Sequence, residues 1–104
     1  MGINVIKDFF LGFIRIHILH HASKEPVFGT ELMEELARHG YKISCGTLYP
    51  ILHRLHNDGY LVLKKENVGG KIRKYYRITA KGKNALQECR HKIQELINEV
   101  VEGK

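Results

Sequence analysis

The sequence predicts a single α+β domain that is mostly helical and carries one β-hairpin. Residues 1–59 contain three apolar patterns of helical period, each closed by a stop signal. Residues 60–78 contain two β-favouring runs around a glycine-bearing turn, and a fourth helical pattern follows them. A length of 104 residues, 43% of them hydrophobic, fits one small folded domain.

The first predicted helix, about Ile3 to His21, has an unusually wide apolar stripe. Phe9, Phe10 and Phe13 recur at helical spacing among leucines and isoleucines. A helix with so wide a stripe must bury more than one side. We therefore expect it to pack on the core of the domain and on a second surface as well.

The second predicted helix is short. It is expected to begin at Thr30 as its N-cap, because Glu31, Glu34 and Glu35 follow where the helix dipole favours carboxylates. Gly40 ends it. About three turns of helix suit a compact bundle of three.

The third predicted helix spans about residues 44–58, from an N-cap at Ser44 or Thr47 to a stop at Gly59. Pro50 fits only near its N-terminus, because proline lacks the N–H that later turns need. Its leucines cluster on one side and leave a slim polar face opposite. That face comprises Gly46, Pro50, His53 and Asn57, flanked by Thr47, Tyr49, Arg54 and His56.

The hairpin is predicted from Tyr60–Lys65 and Ile72–Ile78, with the turn at residues 67–70. In the second strand, period-two alternation divides the side chains between two faces. Ile72, Tyr76 and Ile78 share the face expected to pack, and Arg73, Tyr75 and Arg77 share a cationic, aromatic face.

Positive charge is concentrated in this part of the chain. Against a total of +6, residues 60–83 alone carry +7, residues 1–59 are balanced and residues 84–104 sum to −1. A localised basic patch is what a phosphate-binding surface requires, because neutralised phosphates release condensed counterions. A solvated lysine-rich face is the alternative that charge alone leaves open.

The last predicted helix starts after Thr79 as its N-cap and runs to about Val101. It carries a heptad seam of Leu86, Cys89, Ile93, Leu96 and Val100. At 1.5 Å per residue it is about 34 Å long, too long for its seam to be covered by the rest of the domain. We expect it to pair with a second copy, and the alternative is an amphipathic helix on its own core.

Three helices followed by a basic hairpin form the winged helix-turn-helix plan. Residues 44–55, SCGTLYPILHRL, followed by DGYL at 58–61, resemble the recognition-helix segment of the PadR family of transcriptional regulators. The wing, GKIRKYYRITAKG at 70–82, is similar to that of the same family. FGTEL at 28–32 is similar to its second-helix opening, although Phe28 and Thr30 replace tyrosines often found there.

The resemblance implies a repressor that responds to a ligand or to stress and binds a pseudo-palindromic operator as a homodimer. Residues 1–83 would form the winged-helix DNA-binding domain, with its first helix also at the dimer interface. Residues 84–104 would complete the C-terminal dimerisation helix of the same domain. The expected partners are double-stranded DNA and a second copy of the chain.

DNA-binding residues are predicted on the recognition helix, 44–58, and on the wing, 60–78. They are Ser44, Gly46, Thr47, Tyr49, His53 and Arg54, together with Lys64, Lys65, Lys71, Arg73, Lys74 and Tyr75. His53 or Arg54 suits base edges, while hydroxyls and wing lysines suit phosphates. Tyr49 and Tyr75 have an equally good structural interpretation, since tyrosine often packs its ring within the protein.

Dimerisation residues are predicted on the first and last helices. They are Phe9, Phe10, Phe13, Leu86, Cys89, Ile93, Leu96 and Val100. Members of the family often hold apolar or aromatic effectors in a chamber between subunits, and Phe9, Phe10 and Phe13 are the aromatic residues available to line one. Core packing is the commoner use of such a phenylalanine stripe.

Several other functions lack support in the sequence. Motifs of catalysis are absent, so we expect neither an enzyme nor a cofactor. His17, His20 and His21 have a spacing that suits a metal, but stabilisation of a helix end explains them too, and no metal is assigned. Cys45, at the start of the third helix, could act as a redox sensor, but the family resemblance supplies no cysteine at this position.

Apolar runs long enough to span a bilayer are also absent, and we expect a cytoplasmic protein without membrane contact. Two alternatives to a sequence-specific regulator remain open. One is a winged-helix module for protein assembly, and the other is an architectural DNA-binding protein without sequence preference.

Overall fold

The computed structural model describes residues 2–104. Its elements in chain order are α1 (Val5–Lys24), α2 (Gly29–Arg38), α3 (Cys45–Asn57), β1 (Leu61–Val68), β2 (Lys71–Ile78) and α4 (Ala80–Leu96). A π-helical turn, Ile97–Val101, continues α4. Four α-helices and one antiparallel hairpin confirm the mostly helical α+β class and the winged helix-turn-helix order.

The core lies where the first three helices meet the base of the hairpin. Its most deeply buried side chains are Ile14, Ile18, Leu32, Leu36, Leu48, Leu52 and Leu61, each at most 2% exposed. Burial of Leu48 and Leu52, one helical turn apart, turns the opposite side of α3 to solvent. The hydrophobic effect therefore determines which face of α3 is exposed to solvent.

Helix α1 begins and ends two to three residues later than the sequence predicted. At its start, the Asn4 side chain accepts a hydrogen bond of 2.9 Å from the Lys7 N–H. At its end, Glu25 is extended, as a residue before proline prefers to be, and Pro26 follows. The local backbone preference therefore sets the end at Lys24.

The prediction that Thr30 caps α2 is wrong. The capping residue is Phe28, two positions before Thr30, and the helix begins at Gly29. Val27 exchanges two backbone hydrogen bonds of 3.0 and 2.8 Å with Tyr76 of β2. This pairing holds the chain extended up to Phe28, so the helix starts directly after it.

The hairpin pairs Leu61 with Ile78 at its base and Val68 with Lys71 at its tip. Gly69 and Gly70 form the two-residue turn with φ of +60° and +82°, the region that a primed hairpin turn requires. Only the base is buried, because the hairpin extends beyond the core. Ile72, expected on a packed face, is therefore 71% exposed, and that prediction is wrong.

Helix α4 is anchored at its first turn. The Thr79 Oγ1 accepts from the Gly82 N–H at 3.0 Å, which confirms the predicted cap, and donates to the Gly59 carbonyl at 2.6 Å. Beyond Leu86, its one buried large side chain, the helix leaves the core and gives the molecule its 54 Å long axis. Helices long and apolar enough to cross a membrane are not found in residues 2–104.

Candidate nucleic-acid interface

The recognition helix, α3, displays one polar face. Gly46, Thr47, Pro50, His53 and Arg54 are all exposed, while the leucines behind them are buried. This is the division between inner and outer faces that the sequence predicted. A helix held this way presents its side chains and its N-terminus to the major groove, which is wide enough to admit it.

At the N-terminus of α3, two hydroxyls lie side by side. The Ser44 Oγ is 3.3 Å from the Thr47 Oγ1, and both residues are exposed. The first turn of a helix leaves N–H groups without partners in the helix, and its dipole favours an anion there. This end of α3 therefore has the donors to hold a DNA phosphate.

The C-terminal half of the same face carries His53 and Arg54, the two side chains predicted to contact base edges. The His53 Nε2 lies 3.1 Å from the Asn57 Nδ2, which restrains the imidazole. Within residues 2–104, Arg54 has no carboxylate at ion-pairing distance, so its guanidinium is available. A free guanidinium can donate two parallel hydrogen bonds to guanine.

Tyr49 has a structural role beside any contact to DNA. Its ring lies against Gly29 at the start of α2, where a Cβ would be 2.8 Å from the Tyr49 Cε1 and hydroxyl oxygen. The tyrosine is nevertheless 45% exposed. Gly29 thus allows α3 to approach α2 closely while one edge of the tyrosine faces solvent.

The wing carries an exposed set of cations. Lys64, Lys65, Lys71, Arg73 and Lys74 all face solvent. In the described part of the chain only Lys64 among them meets a carboxylate, the Glu66 Oε1 at 3.8 Å. A surface pair of this length contributes little, so the wing keeps nearly its full charge.

Phe28 was missed as a site residue by the sequence reasoning. Its ring meets Tyr75 edge to face at 5.5 Å between centroids, and the Arg73 guanidinium lies 5.2 Å from its ring centre. Arg73 and Tyr75 share one face of β2, and Phe28 packs against both side chains. The available signal was its position in the motif at 28–32.

A cleft of about 600 Å³ joins the recognition helix to the wing. Its lining residues are Phe28, Gly29, Thr30, Tyr49, Ile72, Arg73, Lys74 and Tyr76. Burial, together with the neighbouring Tyr49, raises the pKa of Tyr76, which therefore remains a neutral phenol. The cleft brings Tyr49 to the same side of the molecule as two wing cations, and it adds Thr30 to the site.

A second feature is an apolar groove of about 880 Å³ between α1 and α4. Of the residues predicted for dimerisation, it brings together Phe9, Phe13, Leu86, Ile93, Leu96 and Val100. The π-helical turn adds Ile97 and Val101 to the lining. Phe10 instead packs on Tyr41 at 4.7 Å, and Cys89 is half-buried outside the groove.

A winged helix-turn-helix with an exposed recognition helix and a basic wing is typical of DNA-binding transcriptional regulators. Comparison with known proteins agrees. The model of the PadR-like family of transcriptional regulators matches residues 18–88, and the chain belongs to this family. The family and its members are regulators of transcription, so the protein is not an enzyme.

Individual relatives cover most of the chain. The transcriptional regulator Rv3488 of Mycobacterium tuberculosis is 48% identical over 99 residues, which are 95% of this chain and 92% of that protein. The crystal structure of a PadR family regulator from Eggerthella lenta is 34% identical with a TM-score of 0.82, covering 94% and 87%. A PadR-like regulator from Bacillus cereus is 32% identical with a TM-score of 0.75, covering 89% and 95%.

Proposed function

We propose that the protein is a homodimeric repressor that binds a pseudo-palindromic operator. The observation that carries this proposal is the groove between α1 and α4, whose apolar lining stays open in a single chain. Leu96 is 55% and Phe9 66% exposed there. Contiguous apolar surface of this kind is typical of a protein interface, and a second copy supplies the same two helices.

Twofold pairing gives the operator its symmetry. Two copies present two identical recognition helices, and each takes one half-site in the major groove. Half-sites of such dimers are about 34 Å apart, or one turn of DNA. His53 and Arg54 are the residues we assign to base edges, and the exposed lysines of the wing to flanking phosphates.

Repression follows if the operator overlaps a promoter, because the bound dimer and RNA polymerase then exclude each other. The proposal places the protein in the cytoplasm, with the DNA. It needs no cofactor, since phosphate and base contacts come from the side chains of the protein itself.

The proposal extends to a small apolar or aromatic effector in the part of the groove that the second copy leaves open. The whole groove measures about 880 Å³ in a single chain, and the second copy would fill part of it. Phe9 and Phe13 line it, with ring centroids 6.4 Å apart. An effector seated there would alter the spacing of the two recognition helices.

A titration with an environment-sensitive apolar dye tests the effector site. We expect saturable binding by wild type and at least fivefold weaker binding by Phe9→Ala, which loses a lining ring. Phe10→Ala is the matched control, because Phe10 packs on Tyr41 outside the groove. Dye binding that does not saturate, or that both variants weaken equally, would contradict the assignment.

Selection from a pool of random-sequence duplexes tests the proposed function. Purified protein should enrich an inverted repeat with half-sites about one helical turn apart. Enrichment of DNA without a shared sequence would favour the architectural alternative, and failure to retain DNA would favour the assembly module. Transcription in vitro from a promoter carrying the selected site should fall when protein is added, and a rise would contradict repression.

A further inference from the structure

Three imidazoles meet on the side of the molecule formed by α1 and the end of α2. His17 and His21 lie one turn apart on α1, and His39 follows directly after α2. One ligand nitrogen from each lies within 4.8 Å of the other two. The His17 ring centre is 4.6 Å from that of His39 and 5.5 Å from that of His21.

Two nitrogens in this cluster lack ordinary partners. The His17 Nδ1 and the His21 Nε2 are buried and have no hydrogen bond within residues 2–104. Buried polar atoms nearly always have a hydrogen-bond partner, so two buried nitrogens without one in the same cluster require an explanation. A shared cation would accept the lone pairs of both.

A carboxylate completes the arrangement. The Glu35 Oε1 lies 3.6 Å from the Nε2 of both His21 and His39, beyond hydrogen-bond distance. Glu35 also pairs with Arg38, which orients it.

We propose that His17, His21 and His39, supported by Glu35, form a binding site for one Zn²⁺ ion per chain. Three imidazoles and a carboxylate are the donors of many zinc sites, and an i, i+4 pair on a helix is a recurrent way to supply two of them. Imidazole also suits Co²⁺, Ni²⁺ and Cu²⁺.

The site differs from the sequence-level cluster of His17, His20 and His21. His20 points away from the shared centre, with its ring edge to face with His21, while His17 and His20 both line the apolar groove. His39 takes its place in the cluster, contributed by the residue that directly follows α2. A bound ion would therefore tie α1 to α2 beside the groove.

Titration of ZnCl₂ into tag-free, chelator-stripped protein, followed by calorimetry, tests the proposal. Because the titration contains no DNA, its result does not depend on the proposed function. We expect one ion per chain with a Kd in the micromolar range or tighter. His39→Ala, at a largely exposed position, should weaken binding at least tenfold, as should His17→Gln. His20→Ala is the matched control and should leave the Kd within twofold.

Binding of Co²⁺ provides a spectroscopic check. Wild type and His20→Ala should develop intense visible absorption typical of a four-coordinate ion, and His39→Ala should not. Helical circular dichroism of each variant establishes that it is folded. Absence of stoichiometric Zn²⁺ binding by wild type, or unchanged binding by folded His39→Ala, would overturn the proposal.

Discussion

At the scale of the residue, Gly82 determines how closely α4 can approach the hairpin. A Cβ at this position would lie 2.3 Å from the Tyr60 carbonyl oxygen and 2.6 Å from the Ile78 Cγ1. Neither atom belongs to a flexible side-chain end. The Thr79 hydroxyl bonds the Gly82 N–H at the same junction, so cap and close approach occur together.

We therefore expect Gly82→Ala to lower the free energy of unfolding by about 2 kcal/mol, since overpacking outweighs the gain in helix propensity. Urea unfolding of the variant and of wild type measures this difference in the free energy of unfolding. Gly46→Ala is the matched control, because its Cβ would meet nothing closer than the Ser44 Oγ at 3.7 Å. Equal stability of Gly82→Ala and wild type would show that α4 is free to shift.

The sequence could not reveal all residue contacts. The wide stripe of α1 predicted two buried sides, but it did not say that Phe9 and Phe13 line the groove beside α4, or that Phe10 and Phe13 both pack on Tyr41. His39 is likewise unremarkable in the sequence. Its position beside His17 depends on the packing of α1 against the end of α2, which has no local signature.

At the scale of the element, the recognition helix and the hairpin were predictable because their signals are local. Ser44 takes the N-cap position of α3 without a side-chain hydrogen bond to the helix backbone, leucines at helical spacing bury one side, and two consecutive glycines make the hairpin turn. The start of α2 could not be predicted from local signals, because it depends on the backbone pairing of Val27 with Tyr76. Pairing across so long a separation leaves no pattern in either segment.

The wing is expected to supply affinity rather than sequence preference. Lys71→Ala with Lys74→Ala removes two cations near the cleft, and should reduce the slope of log K against log salt by about 1.8. Fluorescence anisotropy at several salt concentrations measures the slope. Lys92→Ala on α4, far from the wing and paired with Glu95, should leave it unchanged.

A different result would change the role assigned to the wing in DNA binding. If the double variant kept the wild-type slope, the wing would not contact phosphate. If it lost the preference between duplexes while keeping the slope, these lysines would contact base edges instead.

At the scale of the whole molecule, a single chain exposes more surface than its size warrants. It exposes 7560 Å², against about 6000 Å² for a monomeric protein of 12.0 kDa. Its radius of gyration is 15.1 Å, against about 13 Å for a compact domain of this length. A stable interface covers about 800 Å² of each partner, which the projecting α4 and the exposed start of α1 can supply.

Leu96→Glu tests pairing through this surface. A carboxylate buried without a partner costs about 3 kcal/mol, and twofold symmetry places two in the interface. Sedimentation equilibrium should show a wild-type dimer and a monomeric Leu96→Glu at micromolar concentration. Gln94→Glu on the same helix, at an exposed position outside the groove lining, should remain dimeric. A wild-type monomer would contradict the dimer.

We propose that the recognition helix selects one DNA sequence and that the wing adds affinity without sequence preference. Fluorescence anisotropy on the DNA upstream of the coding sequence of this protein and on a scrambled duplex, each at two salt concentrations, tests it most directly. We expect at least a hundredfold tighter binding to the upstream fragment, with a salt slope that shows several neutralised phosphates. Equal binding to both duplexes at both salt concentrations would contradict a sequence-specific operator in this upstream DNA, and would leave an architectural DNA-binding protein or an operator elsewhere.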